Sequence, residues 1–157
     1  MDTEVVKLLT SKGETISSME SCTGGHFADT ITSVEGASSV IKYSCVTYSN
    51  EYKIKMGVSK DVIDKYSVYS FETSNEMAKN ISKFSKSTYG VGITGKLNRV
   101  DENNLVGEDN IIFVTIYNSK NKEYTNIRIK CPNKIRSKCK DYIVKKTLKK
   151  LLEVIGE

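Results

Sequence analysis

Along this chain of 157 residues the apolar positions change period several times, and each change marks an element. Val5, Leu8 and Leu9 share one face of a helix predicted over 3–11, with Gly13 as its stop. Residues 15–19 then read as a short strand, and beyond Glu20, Ser21, Cys22, Thr23, Gly24 and Gly25 the helical spacing of Phe27, Ala28 and Ile31 begins. That order is strand, turn, helix. Residues 40–48, rich in β-branched and aromatic side chains, predict a second strand, and Asn50 after it is a helix-start residue. Short helices are expected to carry Lys53 and Val62.

Phe71, Met77, Ala78, Ile81 and Phe84 outline a longer amphipathic helix, and 89–94 alternate as a buried strand should. The segment 96–110 is polar and without period, so it reads as a long loop, a feature that is usually functional or disordered in a compact domain. Residues 111–117 and 124–129 then form a predicted hairpin about the turn-prone 118–122, followed by a helix over 134–154. Strands and helices that alternate early, with a hairpin and helix at the end, predict an α/β fold: a mixed sheet covered on both faces.

Length fits a single domain over 1–157, in which about 68–70% of the unfolded surface can be buried. No segment approaches the roughly 18 consecutive apolar residues of a membrane span, and the first residues are acidic where a signal peptide is basic. The expectation is a soluble, cytoplasmic protein with no membrane partner. Charge is lopsided: residues 120–157 hold 12 Lys and Arg against 4 Asp and Glu, whereas 1–119 carry a net −3. Lys145, Lys146, Lys149 and Lys150 fall on the polar side of the last helix, opposite Ile143, Leu148, Leu151, Leu152 and Ile155. A solvated face explains them, and with no aromatic residue interleaved to stack bases, nucleic acid is not the expected partner. The four cysteines, Cys22, Cys45, Cys131 and Cys139, lack CxxC spacing, and His26 is the sole histidine. Neither a metal nor another cofactor is expected.

Chemistry concentrates at the first turn. A serine between a strand end and a Gly-Gly pair projects outward, the amides after it can hold an oxyanion or phosphate, and Gly24 and Gly25 allow close approach. A hydroxyl also needs a base. His26 is too local to the same helix, whereas Lys53, just past the second strand, can reach a strand-end crevice, and a lysine serves as base when burial keeps it neutral. Cys22, at a helix N-terminus, is a second candidate nucleophile.

The run ESCTGG at 20–25, EGASSVIKYSCVTYSNEYK at 35–53, MGVS at 56–59 and ITG at 93–95 resembles the C-terminal domain of the CinA family, the nicotinamide-nucleotide amidohydrolases. The likeness is strongest from Ile16 to Ser59 and thins beyond Gly95. It implies a three-layer α/β/α sandwich with a mixed, mainly parallel sheet. It also implies hydrolysis of the carboxamide of nicotinamide mononucleotide, or a related pyridine nucleotide, to nicotinate mononucleotide and ammonia by a Ser-Lys mechanism. Carried over to this chain, the catalytic residues are Ser21, Lys53, Tyr48 and Thr94, and the substrate-binding residues are Glu20, Thr23, Gly24, Gly25, Gly95 and Arg136, the last as a phosphate ligand. Ser70 falls where the family has a serine before its long helix. The implied partner is a small mononucleotide, with a homo-oligomer left open.

Family members continue past the ITG motif into a loop resembling GIAGPGG, where this chain has Lys96, Leu97, Asn98, Arg99, Val100 and Asp101. Leu105, Val106 and Gly107 echo the family's next strand, and 108–110 are extra. If Lys96 and Leu97 fill the pocket, the alternative is a catalytically weak or inactive nucleotide-binding homologue.

Overall fold

The structure, a computed structural model, describes residues 1–97, 109–132 and 134–157. The readings on residues 98–101 and 105–108 lie outside the described residues. At the centre stands a five-stranded sheet in the order β2-β1-β3-β4-β5, built from β1 (Ile16–Glu20), β2 (Cys45–Val46), β3 (Tyr89–Gly95), β4 (Ile111–Asn118) and β5 (Glu123–Lys130). β1 pairs in parallel with β2 and β3, β4 runs antiparallel to β3, and β5 runs antiparallel to β4. Only β4 is reversed, which gives the mixed, mainly parallel sheet and the terminal hairpin. Helices α1 (Asp2–Lys12), α2 (His26–Thr32) and α6 (Arg136–Gly156) pack together on one face, while α4 (Lys60–Tyr66) and α5 (Phe71–Ser85) lie on the other. Between β2 and α4, α3 (Asn50–Lys55) supplies one short turn of helix. Three layers, α/β/α, result.

Burial on both faces changes how the strands read. Residues 89–94 of β3 are buried without interruption, not on alternate positions, because Val91 and Ile93 enter the core under α1, α2 and α6 while Gly90 and Gly92 meet α5. A β-carbon on Gly90 would stand 2.0 Å from the Ala78 carbonyl oxygen, and one on Gly92 would stand 2.4 Å from that of Ser74. Helix α5 therefore touches the sheet along its Ser74, Ala78, Ser82 line. Phe84 lies about 200° around the helix from Ser82, so the expected core residue is 62% exposed and rests on Tyr43, ring centroids 5.1 Å apart.

The second strand is much shorter than the 40–48 expected. Val40 and Ile41 are buried in the core, Ile41 makes one isolated bridge to Ile16, and Ala37–Ser39 form a 3-10 turn. Their β-branched character serves packing under α1 and α2, and only Cys45 and Val46 pair with β1 at the sheet edge. Among the described residues no helix is long and apolar enough to cross a membrane.

The close approach of α5 sets an expected outcome. Gly92→Ala should lower stability by about 1–3 kcal/mol through overpacking against the Ser74 carbonyl, read as a lower midpoint in urea with an unchanged slope. Gly13→Ala marks the contrast, since a β-carbon there meets nothing within 4 Å and only the φ of 64° opposes it.

Candidate active site

Sequence at the end of β1 builds the turn from inside. Glu20 is fully buried, and its Oε1 accepts hydrogen bonds from Thr23 Oγ1 (2.6 Å) and the Phe27 amide (2.9 Å) while Oε2 accepts from the Ala28 amide (3.0 Å) and Ser18 Oγ (3.2 Å). A carboxylate in this place satisfies the orphan donors of the first turn of α2 and faces the positive end of its dipole. Glu20 and Thr23 thus organise the turn, and both Glu20 oxygens are already occupied by donors of the protein. Gly24 and Gly25 adopt φ of 61° and 96°, a left-handed path that favours glycine.

Ser21 extends the strand pairing by one step, its amide donating to the Ile93 carbonyl at 3.0 Å. Its carbonyl accepts from the Gly24 amide at 2.9 Å, which removes that amide from the candidate oxyanion donors. The Cys22 and Thr23 amides make no hydrogen bond among the described residues, and they follow the serine directly. These two are the donors left for a developing negative charge.

Lys53 arrives from the other side of β1. Ser49 caps α3 by accepting from the Tyr52 amide at 3.2 Å, and the helix sends Lys53 back towards the strand end. The lysine is 2% exposed; its Nζ donates to the Thr47 carbonyl at 2.7 Å and lies 3.1 Å from Ser21 Oγ. Thr47 is itself locked to β1, its amide donating to the Glu20 carbonyl at 2.8 Å. Ser21 and Lys53, 32 residues apart in the chain, are brought into direct contact.

The remaining residues divide. Arg136, at the start of α6, donates from Nη2 to Tyr48 Oη at 3.0 Å and from Nη1 to the Leu97 carbonyl, so it ties the loop after β3 to the segment before α3. Lys140, one turn further, places Nζ 3.2 Å from where a β-carbon of Gly24 would stand. Thr94 is buried at the end of β3, and its hydroxyl donates to the Val68 carbonyl at 2.8 Å. Gly95 pairs with Ile112, and a β-carbon there would meet Ile112 Cδ1 at 2.5 Å, so strand packing alone requires glycine. Ser70 caps α5, accepting from the Thr73 amide at 3.2 Å. Lys96 Nζ sits 5.1 Å from the Tyr69 ring centroid, and Leu97 joins the core beneath α1, α2 and α6. Sequence reading missed Thr47, whose carbonyl holds the lysine, and Lys140, which the four-residue spacing from Arg136 made legible.

Cys22 lies buried beside the turn, 4% exposed. Burial pushes its thiol up to about 12, with the neighbouring Cys131 adding to the effect. The thiolate is the reactive form, and burial disfavours it. His26 pairs with Asp141 through Nε2 at 2.7 Å, linking α2 to α6.

Comparison with known proteins bears on the whole arrangement. The family described as CinA C-terminal domain matches residues 1–155. A CinA-like protein of Flavobacterium psychrophilum is 43% identical over 117 residues, covering 73% of this chain and 27% of that protein. A putative competence-damage inducible protein of Caldanaerobacter subterraneus is 47% identical over 96 residues, covering 60% of this chain and 23% of its own length. The chain thus spans about a quarter of the length of these curated relatives. A crystal structure of a competence-damaged protein (CinA) superfamily protein from Klebsiella pneumoniae superposes with a TM-score of 0.90 over 99% of this chain and 95% of its own at 18% identity, a likeness of fold.

Two outcomes follow from the turn. Glu20→Ala should cost about 2–4 kcal/mol, since charge-assisted hydrogen bonds and buried donors left unpaired are both lost; a thermal midpoint within 2 °C or so of the parent would refute the capping role. Labelling by iodoacetamide should be negligible at Cys22 and Cys131 at pH 8 and should climb as pH rises, because burial lifts both thiols to about 12. Mass spectrometry showing rapid modification of Cys22 in the folded chain would favour it over Ser21 as the nucleophile.

Proposed function

Since the chain belongs to the CinA C-terminal domain family, we propose that it hydrolyses the carboxamide of nicotinamide mononucleotide, or of a closely related pyridine nucleotide, to the carboxylate and ammonia. The observation that carries this reading is the 3.1 Å contact between Lys53 Nζ and Ser21 Oγ at the end of β1. Removing an ammonium from water costs more than removing a neutral amine, so burial at 2% exposure favours the form of Lys53 that accepts a proton. In that form the serine hydroxyl donates to the amine, the reverse of the bond made by the charged lysine.

The reaction then runs in two balanced halves. Ser21 Oγ attacks the carboxamide carbon as Lys53 takes its proton, and the oxyanion meets the Cys22 and Thr23 amides. Collapse breaks the carbon–nitrogen bond, Lys53 returns the proton to the departing nitrogen, and ammonia leaves an acyl ester on Ser21. Water, deprotonated by the same amine, cleaves the ester and restores the hydroxyl. Arg136 and Lys140 supply two cations at the rim for the 5′-phosphate, with Tyr48 orienting the guanidinium. Thr94 and Gly95 act by position, closing the wall formed by β3.

A second reading, nucleotide binding with little or no turnover, draws on Leu97, which fills core beside Arg136 where the family's loop is small. One experiment separates the two. Ammonia release from nicotinamide mononucleotide should fall by about 10²–10⁴ in Ser21→Ala and in Lys53→Met, with thermal midpoints retained and nucleotide binding intact by calorimetry. Cys22→Ser should leave the rate within about twofold, and the parent rate should rise with pH as the amine loses its proton. Equal rates in the parent and both variants would end the Ser-Lys account; binding without any ammonia release in the parent would establish the second reading.

A further inference from the structure

At the opposite end of the sheet from Ser21, the C-terminal half of α5 and the β4–β5 hairpin border an open cavity of about 600 Å³, within the range of small-molecule sites. Tyr117 in its wall pairs with Gly90, four residues and about 13 Å along β3 from Thr94. The cavity is therefore separate from the turn.

Its lining is unusual in charge. Lys79, Lys83, Lys86 and Lys122 all border it, and no carboxylate does among the described residues. Of the acidic residues on the same elements, Glu72, Glu76 and Glu123 make no ion pair with these four lysines among the described residues, although Glu76 lies near enough to act on Tyr124. Lys86 and Lys122 hold φ of 57° and 61°, positions where glycine or asparagine is easier, yet lysine occupies both. Four like charges around one space repel one another unless an anion sits among them. The floor serines are committed to the backbone, Ser82 donating to the Ser87 carbonyl at 2.7 Å and Ser119 to the same oxygen at 3.3 Å. The open donors are thus the ammonium groups.

The second component is aromatic. Tyr117 and Tyr124 face each other across the hairpin, ring centroids 5.1 Å apart at 43°, and Tyr124 keeps 40% of its surface exposed. An exposed phenol beside several cations suits a ligand with a planar base and a chain of phosphates. We propose that this cavity binds a nucleoside polyphosphate, the phosphates held by the lysines and the base stacked on Tyr124. A free nucleotide fits better than a nucleic-acid strand, because Lys145, Lys146 and Lys149 on α6 lie on the other face of the sheet and form no continuous track with the cavity.

Calorimetry on the full chain with ATP, inorganic tripolyphosphate and an oligothymidylate tests this. ATP should bind and weaken with added salt; Lys83→Gln/Lys86→Gln should reduce affinity by about tenfold or more. Lys79→Gln/Lys122→Gln provides an independent pair should the first disturb folding. Tyr124→Ala should weaken ATP several-fold while leaving tripolyphosphate unchanged, and Ser21→Ala and Arg136→Ala should leave ATP binding intact. No ATP binding up to about 1 mM, unchanged affinity in both lysine pairs, loss of ATP binding in Ser21→Ala or Arg136→Ala, indifference of ATP to Tyr124→Ala, or tighter binding of the oligothymidylate than of ATP would each overturn the assignment.

Discussion

A carboxylate with no access to water holds this structure's working end together. Glu20 terminates β1, accepts from the first amides of α2, and through its own carbonyl receives the Thr47 amide that anchors β2. A buried charge is tolerated only where hydrogen bonds replace its hydration, and here four donors and a helix N-terminus do so. One residue thereby fixes the direction of the strand, the start of the helix and the segment that carries Lys53. With Gly24 and Gly25 on a left-handed path, the two amides directly after Ser21 make no hydrogen bond among the described residues. The geometry of the site is a consequence of satisfying that carboxylate.

Placement of Lys53 follows the same logic from the other side. A long flexible side chain is brought to one position by burial and by the Thr47 carbonyl, and that carbonyl is itself positioned by Glu20. The two reacting groups of the proposed mechanism therefore depend on a shared support, so a change at Glu20 reaches both the nucleophile and the base. Preorganisation of this kind lowers the reorganisation a reaction requires. It also explains why Thr47, chemically unremarkable in the sequence, matters through its backbone.

Much of this was legible in advance, and the exceptions share a cause. The strand, turn and helix around Ser21 were visible because local spacing and the Gly-Gly pair are local signals. The Ser21–Lys53 pairing is suggested by the place of Lys53 after the second strand and specified by the family resemblance, since 32 intervening residues conceal a contact that no periodicity encodes. Residues 40–48 misled because β-branched side chains serve a core wall as well as a strand, and here Val40 and Ile41 pack while only Cys45 and Val46 pair. Phe84 misled because the helix meets the sheet along its smallest residues, a choice made by Gly90 and Gly92 on another element. Glu20 was grouped with the ligand-binding residues because a motif records which residue is kept, and not whether its oxygens point to substrate or to backbone.

The distribution of charge carries the same lesson one step further. Counted along the chain, the basic excess belongs to residues 120–157 and suggests one positive tail. Folding divides it. Arg136 and Lys140 stand beside the Ser21 turn, Lys145, Lys146 and Lys149 cover the outer side of α6, and Lys122 joins Lys79, Lys83 and Lys86, which come from the net-acidic stretch 1–119. Electrostatic potential depends on which charges share a low-dielectric concavity, and a solvated helix face disperses its field within a Debye length of about 8 Å. Of the three groups, the first stands beside the Ser21 turn and the last borders a cavity, so the two proposed anion sites rest on them and not on the long basic helix that dominates the count.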